Sequence, residues 1–523
     1  MLLTVLLAAS IASAQTVSVS VPATAPSSAV ALDAGLVSFS IEQDRWTDWA
    51  GTDAPNTFFV NTLENLAERT GAPPWIRIGA NSEDHTDFSF SEKFSEAIFP
   101  DPTATMPYPE ATNITVGAAY YTLASHLPHG TRVIWGVNLG TNNITAAFLE
   151  ARAIRAAFAS PEVTANGVSL EAVEIGNEPD LYGSNGHRDP STWDVQEYVK
   201  EWTEFAQNVS VAAGVSKSGP KFFGLAFSHN AHSGSSSGFS FDNAVASGLL
   251  NSPQGQLINE ISQHMYFGSG VAGVANLPSL MSKSTIRGNV TVLGEDIGSV
   301  QAHGLSFVMG ETNSYFSHGA PSVSNAAGAA IWLVDYTLLA ASMGVKRMHF
   351  HEGIGFRYNL IQPITLTRSI IDASPLSSPL PPHIQPAYYG ALIAAEAVGT
   401  SGSSSIVELD ISDDALSGYA VFEGNKLKRA VLIDSVAFLS GDDERGGRNV
   451  TLSFEEGSVG GSVKVKRLAI GHADDTTGIT WAGQSFDTSD ARPSGEIVTE
   501  ILSVKNGNVE VGIQDTEIVS LSF

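Results

Sequence analysis

The 523-residue sequence contains no cysteine. This absence excludes disulfide bonds, thiol catalysis and cysteine metal sites, so the folded protein has to rely on the size of its hydrophobic core. Basic residues are also scarce, with 27 Lys and Arg against 54 Asp and Glu, and the formal net charge is −27. Such an acidic chain is a poor partner for nucleic acid, anionic membranes and long sulfated polyanions.

Long hydrophobic runs are missing beyond the first residues. Residues 2–11 are apolar, and small residues follow at Ala12, Ser13 and Ala14. Although no Lys or Arg precedes this run, we predict a secretory signal peptide over residues 1–14 and a secreted, extracellular protein. No later run is long enough to span a membrane. Five Asn-x-Ser/Thr sequons fit export and are predicted glycosylation sites: Asn113, Asn143, Asn208, Asn289 and Asn449.

Strand-like and helix-like segments alternate between residues 31 and 398. The apolar strand-like runs are 37–41, 75–78, 133–137, 173–175, 222–227, 261–266, 306–310 and 347–351. The helix-like segments include 57–69, 118–126, 144–158, 194–213, 326–342 and 386–398. This alternation predicts an α/β fold, a (β/α)8 TIM barrel. A doubly wound open sheet is the main alternative, but its Gly-rich phosphate fingerprint is absent after the first strand.

The pattern changes after the Gly/Ser-rich stretch 399–405. Short alternating runs follow, and Asn506-Gly507 is a strong hairpin signal, so we predict an antiparallel β-sandwich over residues 399–523. Near the N-terminus, Val17, Val19 and Val21 alternate with serines. We expect this segment, residues 15–30, to add a strand to the C-terminal sandwich. The catalytic barrel is then confined to residues 31–398.

Two predicted barrel strands end in a glutamate. Glu178 follows the fourth strand in the segment Gly-Asn-Glu-Pro, and Glu311 ends the seventh strand in Val-Met-Gly-Glu-Thr. The carboxyl ends of the strands form the active face of a TIM barrel. Paired carboxylates carry out glycoside hydrolysis, one as proton donor and one as nucleophile or base. For either residue alone, a helix cap or a salt bridge at the rim is the alternative interpretation.

The surroundings of both glutamates resemble glycoside hydrolase family 79, the β-glucuronidase and heparanase family of the retaining four/seven clan. The resemblance rests on residues 173–182, Val-Glu-Ile-Gly-Asn-Glu-Pro-Asp-Leu-Tyr, and residues 310–315, Gly-Glu-Thr-Asn-Ser-Tyr. It implies a secreted exo-β-glucuronidase that removes terminal β-linked glucuronic acid, or its 4-O-methyl form, from glycans by double displacement. Glu178 would then be the acid/base and Glu311 the nucleophile.

The resemblance also suggests substrate-binding residues. Asn177 would bond the sugar 2-hydroxyl, with a turn residue as the alternative. Tyr266 would orient the nucleophile, although aromatic packing at the barrel mouth is nearly as ordinary an explanation. Tyr315, Gly355 and Tyr358 are the candidates for binding the sugar C6 carboxylate.

Several other residues are open to a structural interpretation. Arg357 could pair with the sugar carboxylate, but a surface arginine is the favoured interpretation. His264 is interpreted as a hydrogen-bonded rim histidine. Trp46 and Trp49 either stack on a sugar or cover the barrel mouth. Polar residues after the first two strands contact sugar hydroxyls or only shape the rim: Glu42, Gln43, Asn81, Glu83 and Asp84.

No cofactor or metal site is predicted, since no motif such as H-E-x-x-H accompanies the histidines. The expected partner is a carbohydrate substrate, with no nucleic acid and no membrane, and we expect a monomer. Three alternatives stay open. A heparanase-like endo-β-glucuronidase is disfavoured by the scarcity of Lys and Arg. Another clan member, a β-xylosidase or β-glucanase, would lack donors for a carboxylate. A non-catalytic carbohydrate-binding barrel is disfavoured because both glutamates are present.

Overall fold

A closed eight-stranded parallel barrel forms the centre of the protein. The computed structural model describes residues 15–228, 238–270, 273–455 and 457–523, so the predicted signal peptide lies outside the described residues. The barrel strands, first to eighth, are Val37–Glu42, Ile76–Gly79, Arg132–Val137, Ser169–Ile175, Lys221–Phe227, Ile258–Tyr266, Ser306–Asn313 and Met348–Glu352. They pair in chain order, and the eighth strand closes on the first. The predicted TIM barrel is confirmed, and the open sheet is excluded.

Helices connect successive strands and surround the barrel. Their bounds are Trp46–Ala50, Thr57–Thr70, Ala118–Thr122, Ile144–Phe158, Pro161–Ala165, Tyr182–Asn185, Val195–Ala213, Phe241–Ala246, Leu277–Met281, Lys283–Val290, Gly294–Ala302, Gly328–Met343 and Ala387–Val398. Polar side chains cap several of them, as Asn56 does by accepting from the Phe59 N–H at 3.3 Å. The helices Gly328–Met343 and Ala387–Val398 are buried on almost every side, because they pack between the barrel strands and the C-terminal domain.

The C-terminal domain consists of two sheets packed face to face, as predicted. The larger sheet contains Val30–Ala31, Ser404–Glu408, Leu416–Glu423, Lys426–Asp434, Ser462–Ala469, Thr480–Trp481, Glu500–Ser503 and Glu517–Ser522. The smaller sheet contains Gln15–Ser20, Gly447–Ser453 and Asn508–Gln514. The N-terminal strand runs parallel to Gly447–Ser453, with Val17 opposite Val450 and Val19 opposite Leu452. These valines join the apolar core between the sheets, so the first described residues belong to the C-terminal domain.

Two long excursions extend the carboxyl end of the barrel. The first, after the second strand, forms a small sheet of Thr86–Phe88, Ser95–Ile98 and Asn113–Val116. The second, after the eighth strand, forms two short ladders, one of Ile361–Gln362 with His383–Ile384 and one of Leu366–Arg368 with Pro375–Leu380. Because both excursions follow strands at their carboxyl ends, they lie on the face where the predicted site residues are found.

The predicted glycosylation sites differ in their exposure. Asn113, Asn143, Asn208 and Asn449 are exposed, whereas Asn289 is half-buried and donates to the Thr285 carbonyl. Across the described ranges, no helix is both long enough and apolar enough to cross a bilayer.

Candidate active site

Glu178 and Glu311 lie on the same rim of the barrel. Glu178 follows the fourth strand, Ser169–Ile175, and Glu311 belongs to the seventh, Ser306–Asn313. A carboxylate oxygen of one residue lies within 4.8 Å of a carboxylate oxygen of the other. Retaining glycosidases hold their two carboxyl groups about 5–5.5 Å apart, whereas inverting enzymes need roughly 6.5–9.5 Å to admit a water. This closest approach is nearer to the spacing of retaining pairs than to that of inverting pairs.

The backbone at Glu178 adopts the left-handed conformation, with φ 46° and ψ 52°. Its N–H donates to the carbonyl of Ala226, at the end of the fifth strand, at 3.0 Å. This conformation costs a non-glycine residue about 1 kcal/mol or more, and such strain concentrates at functional sites. Here it turns the chain sharply after the strand, so the carboxyl group is at the rim and its side chain remains 21% exposed.

Glu311 is surrounded by groups that favour its ionised form. The Tyr266 hydroxyl donates to Oε1 at 2.7 Å, the Arg77 guanidinium donates to Oε2 at 2.9 Å, and His351 lies 3.8 Å from Oε2. Burial alone would raise the pKa of Glu311, but the nearby positive charges of His351 and Arg77 outweigh it and hold this pKa at about 2. The group is therefore a carboxylate at any ordinary pH.

Glu178 has the opposite environment. Its Oε1 lies 3.0 Å from Nδ1 of His264, and burial together with the negative charge of Glu311 raises the pKa of Glu178 well above its usual range. Burial lowers the pKa of His264 to about 4, so the imidazole is neutral above that pH and supplies no charge to offset the shift. One carboxyl group is thus kept protonated beside another that is kept ionised, which is the division that acid and nucleophile require.

Arg77, from the second strand, connects the two catalytic strands. Its side chain is fully buried and donates to Glu174 from Nε at 2.8 Å, to Asn177 Oδ1 from Nη2 at 2.8 Å and to Glu311 from Nη1. Ser40 on the first strand accepts a further bond at 2.8 Å. A guanidinium presents its donors in a rigid fork, so these bonds fix the relative positions of the carboxylate and the amide.

A cavity of about 660 Å³ opens above the acid pair. Three of the residues predicted to bind substrate, Asn177, Tyr266 and Tyr358, line it together with both glutamates. The other lining residues are Glu42, Asn81, Met106, Glu110, Leu181, Ser228, Met265, Phe316, Ser317, His318 and His351. The side-chain Oδ1 of Asn177 already accepts from Arg77, so its Nδ2 is the group left to donate to a ligand.

The structure places the other loop residues of interest outside the cavity lining. Tyr315 and Gly355 are not among the described residues that line the cavity. The Gly355 N–H donates to Gln362 Oε1 at 3.1 Å, and the Tyr108 ring packs where a side chain of Gly355 would stand. Arg357 is neither a carboxylate ligand nor a surface residue, because it is 2% exposed and its guanidinium is bonded to backbone carbonyls. These positions depend on loop packing that the local sequence does not encode.

The polar and aromatic residues after the first two strands divide into two groups. Glu42 and Asn81 line the cavity, as a role toward sugar hydroxyls requires. Gln43, Glu83 and Asp84 are buried beneath it; Asp84, for example, accepts from the Leu139 and Gly140 amides. The side chains of Trp46 and Trp49 are fully buried, so neither offers a stacking surface to a sugar.

Several residues of the site were not foreseen from the sequence. The sequence did contain a clue to Arg77, because it is a charged residue within the apolar strand Trp-Ile-Arg-Ile. A charge buried in such a strand needs a partner. His351 lies 3.4 Å from Glu42, and the charges of Glu311 and Glu42 outweigh burial and raise the pKa of His351 to about 9. Glu110 and His318, 2.7 Å apart, come from loops with no recognisable pattern.

Glu178, His264 and Glu311 also form a set whose donor atoms lie close enough to surround a metal ion. Each of these donor groups already has a protein partner. Both oxygens of Glu311 accept bonds from Tyr266 and Arg77, and a guanidinium 2.9 Å away repels a second cation. The arrangement is better suited to proton transfer and nucleophilic attack than to metal binding.

Comparisons with known proteins agree with this geometry. The sequence profile described as the glycosyl hydrolase family 79 C-terminal beta domain matches residues 418–519. A β-glucuronidase of Aspergillus niger is 29% identical over 487 residues, which cover 86% of this chain and 83% of that protein. A β-glucuronidase of Neurospora crassa is 29% identical over 519 residues, covering 90% of this chain and 87% of that protein.

Solved structures share the fold across the whole chain. The crystal structure of a 4-O-α-L-rhamnosyl-β-D-glucuronidase from Fusarium oxysporum 12S superposes with a TM-score of 0.79 at 24% identity, covering 97% of this chain and 100% of that one. A family 51 α-L-arabinofuranosidase from Bifidobacterium longum superposes with a TM-score of 0.61 at 15% identity, covering 97% of this chain and 99% of that one. With its paired carboxylates, its barrel and its C-terminal domain, this chain is a glycoside hydrolase, and its C-terminal domain matches the family 79 profile.

Proposed function

We propose that the protein is a secreted, exo-acting, retaining β-glucuronidase that releases terminal β-linked glucuronic acid, or its 4-O-methyl form, from glycans. The observation that carries the proposal is the acid pair, with oxygens within 4.8 Å and pKa values shifted in opposite directions. The β-glucuronidases at 29% identity support the choice of sugar. A panel of 4-nitrophenyl β-glucuronide, β-glucoside, β-galactoside and β-xyloside tests it, and turnover of a neutral glycoside alone would contradict it.

The proposed mechanism follows from the protonation states. Glu311 attacks the anomeric carbon while protonated Glu178 gives its proton to the glycosidic oxygen, and the aglycone leaves. The now ionised Glu178 removes a proton from water, which attacks the glycosyl ester and releases the sugar with its configuration retained. The amide Nδ2 of Asn177 donates to the sugar 2-hydroxyl, a bond that strengthens as the oxocarbenium ion develops.

Exo action is supported by the wall on one side of the cavity. The Tyr108 hydroxyl, in the excursion after the second strand, donates to the Arg368 carbonyl at 3.1 Å and accepts from the Arg368 N–H at 3.1 Å. Arg368 in turn donates to the Pro107 carbonyl at 3.3 Å. These bonds join the two excursions beside Met106, which lines the cavity, and this junction supports a pocket that accepts a chain end. The four glutamates that line it disfavour a sulfated polymer as substrate.

The sugar carboxylate needs donors, and the cavity offers them in two loops. Tyr358 contributes a hydroxyl after the eighth strand, and Ser317 and His318 line the cavity after the seventh. Both Ser317 and His318 are left-handed, with φ 63° and 64°. Within the described part of the chain, their backbone N–H groups have no protein acceptor. Unpaired amides of this kind bind anions well at a partly desolvated site.

Substitution of the two acids should separate their roles. Glu311→Gln removes the nucleophile, so turnover should fall by about 10³-fold or more on every substrate. Glu178→Ala should reduce hydrolysis of a natural glycan linkage by about 10²–10⁴-fold but affect a 4-nitrophenyl glycoside far less, because a good leaving group needs little protonation.

Proton NMR of the first product released from a β-glucuronide by the wild type should show the β-anomer. Initial release of the α-anomer, or equal losses on both substrates in Glu178→Ala, would contradict these assignments.

The pH profile should be bell-shaped with an acidic optimum. Activity requires ionised Glu311 and protonated Glu178, so it falls at pH values below the depressed pKa of Glu311 and above the raised pKa of Glu178.

His351→Asn should shift the acidic limb of this profile. It removes a cation 3.8 Å from Glu311, so the acidic limb of kcat/KM should move to higher pH by about one unit or more. His349→Asn is the control, because burial keeps the pKa of His349 low and its imidazole neutral. A limb unchanged in His351→Asn argues against the charge assignment.

Sugar selectivity should depend on Tyr358. A site with donors for a carboxylate rejects analogues that lack it, because the donors are left unpaired. Tyr358→Phe should therefore raise KM for the glucuronide by about tenfold and narrow its preference over the glucoside. Tyr315→Phe provides a matched control with a buried tyrosine outside the cavity lining. If the ratio of glucuronide to glucoside turnover is the same in Tyr358→Phe as in the control, recognition rests with Ser317 and His318 alone.

Export should be visible in the N-terminus of the mature protein. We propose that residues 1–14 are removed during secretion and that the exposed sequons carry glycans. Expression of the full chain in a filamentous fungus should yield protein in the medium that begins at Gln15 and loses mass on treatment with an N-glycosidase. Retention inside the cell with residues 1–14 intact would overturn this part of the proposal.

A further inference from the structure

Arg357 is a buried cation that makes no ion pair within the described ranges of the chain. It is 2% exposed, and its guanidinium donates to four backbone carbonyls. Nη1 donates to Thr105 at 3.1 Å and Gly319 at 3.3 Å, and Nη2 donates to Ala104 at 3.1 Å and Ile371 at 3.2 Å. Burial lowers the pKa of the guanidinium, as expected for a cation surrounded by neutral dipoles.

The four carbonyls come from three separate loops of the active face. Ala104 and Thr105 lie in the excursion after the second strand, Gly319 lies after the seventh, and Ile371 lies in the excursion after the eighth. The backbone N–H of Arg357 adds a fifth bond, to the His318 carbonyl at 2.7 Å. One side chain thus joins three loops of the active face.

Two of the anchoring carbonyls and Arg357 itself are next in sequence to a residue of the cavity wall. Thr105 precedes Met106, Gly319 follows His318, and Arg357 itself precedes Tyr358; these three neighbours all line the cavity. A displacement of any of these loops therefore moves a wall of the substrate pocket. Displacements of an ångström are enough to affect binding strongly when the site depends on orientation.

Stability alone does not account for the use of a cation at this position. Transfer of a charge from water into the interior is costly, and well-packed apolar side chains often replace buried ionic groups without loss of stability. An apolar side chain cannot hold four carbonyl groups in defined directions. A guanidinium can hold them, because its N–H donors are planar and fixed relative to one another.

We propose that Arg357 is a positioning residue that holds three loops in register and thereby sets the shape and closed end of the substrate pocket. It acts through Met106, His318 and Tyr358 and does not touch the reacting atoms. The inference about which sugars are discriminated rests on the proposed function. The inference about positioning does not, because any β-glycoside that the wild type hydrolyses can serve as the substrate.

The test compares Arg357→Met with Arg445→Met. Arg445 in the C-terminal domain is the control. It is only partly buried, but its guanidinium likewise donates to backbone carbonyls, those of Asp515 at 2.8 Å, Ile470 at 2.8 Å and Thr516 at 3.0 Å. Steady-state kinetics and melting temperature are measured for the full-length chain and both variants. The wild-type panel is run first, so that failure to hydrolyse glucuronides counts against the proposed function and not against Arg357.

In Arg357→Met we expect KM to rise about tenfold while kcat stays within about threefold, because the reacting groups are undisturbed. Selectivity between unsubstituted and 4-O-substituted glucuronides should narrow as the walls loosen. Arg445→Met should lower the melting temperature without changing KM. The positioning role is overturned if KM is unchanged in Arg357→Met, or if kcat falls in parallel with the melting temperature while KM and selectivity stay constant.

A second variant keeps the proposal testable if Arg357→Met does not fold. Arg357→Lys retains the charge but has a single ammonium, which cannot reach carbonyls in four fixed directions. Arg357→Lys should fold, and its KM should lie above that of the wild type but below the tenfold increase expected for Arg357→Met. A KM for Arg357→Lys equal to that of the wild type would show that charge alone suffices and would overturn the positioning role.

Discussion

The active site depends on the hydrogen bonds and ion pairs of the buried Arg77 guanidinium. The guanidinium lies inside the barrel with Glu174 and Glu311 as direct partners and with Glu83 4.0 Å away. Without this cation, negative charge on carboxyl groups packed in so small a volume would be strongly unfavourable. Its fork of donors also fixes Asn177, so the same cation neutralises the interior and orients the groups above it. This contact therefore positions Glu311 and Asn177, whereas Glu178 is held by His264.

The different roles of the two glutamates arise from their surroundings, since the residue type is the same. Glu311 lies among a guanidinium, a tyrosine hydroxyl and an imidazolium, so its negative charge is stabilised. Glu178 has a neutral histidine and the negative charge of Glu311 beside it, so its proton is retained. Each shift reinforces the other, because ionised Glu311 is itself a reason for Glu178 to stay protonated.

Above this rigid centre, the substrate pocket is built from excursions that hold one another. Tyr108 and Arg368 connect two of them through backbone groups, and Arg357 ties three loops through their carbonyls. Such loops can vary in sequence while the barrel keeps the acids in place.

The sequence by itself determined the barrel, the C-terminal sandwich and the acid pair. These features depend on local patterns, namely the spacing of apolar runs and the glutamates that end the fourth and seventh strands. The turn at Asn506-Gly507 was also recognisable, since both residues have positive φ angles, yet its two flanking strands pair in different sheets. Only the tertiary structure decided which loop residues reach the cavity, and it replaced Tyr315 and Gly355 by Glu110, Ser317 and His318. The physical reason is that these positions depend on contacts between loops far apart in the chain, which no local periodicity reveals.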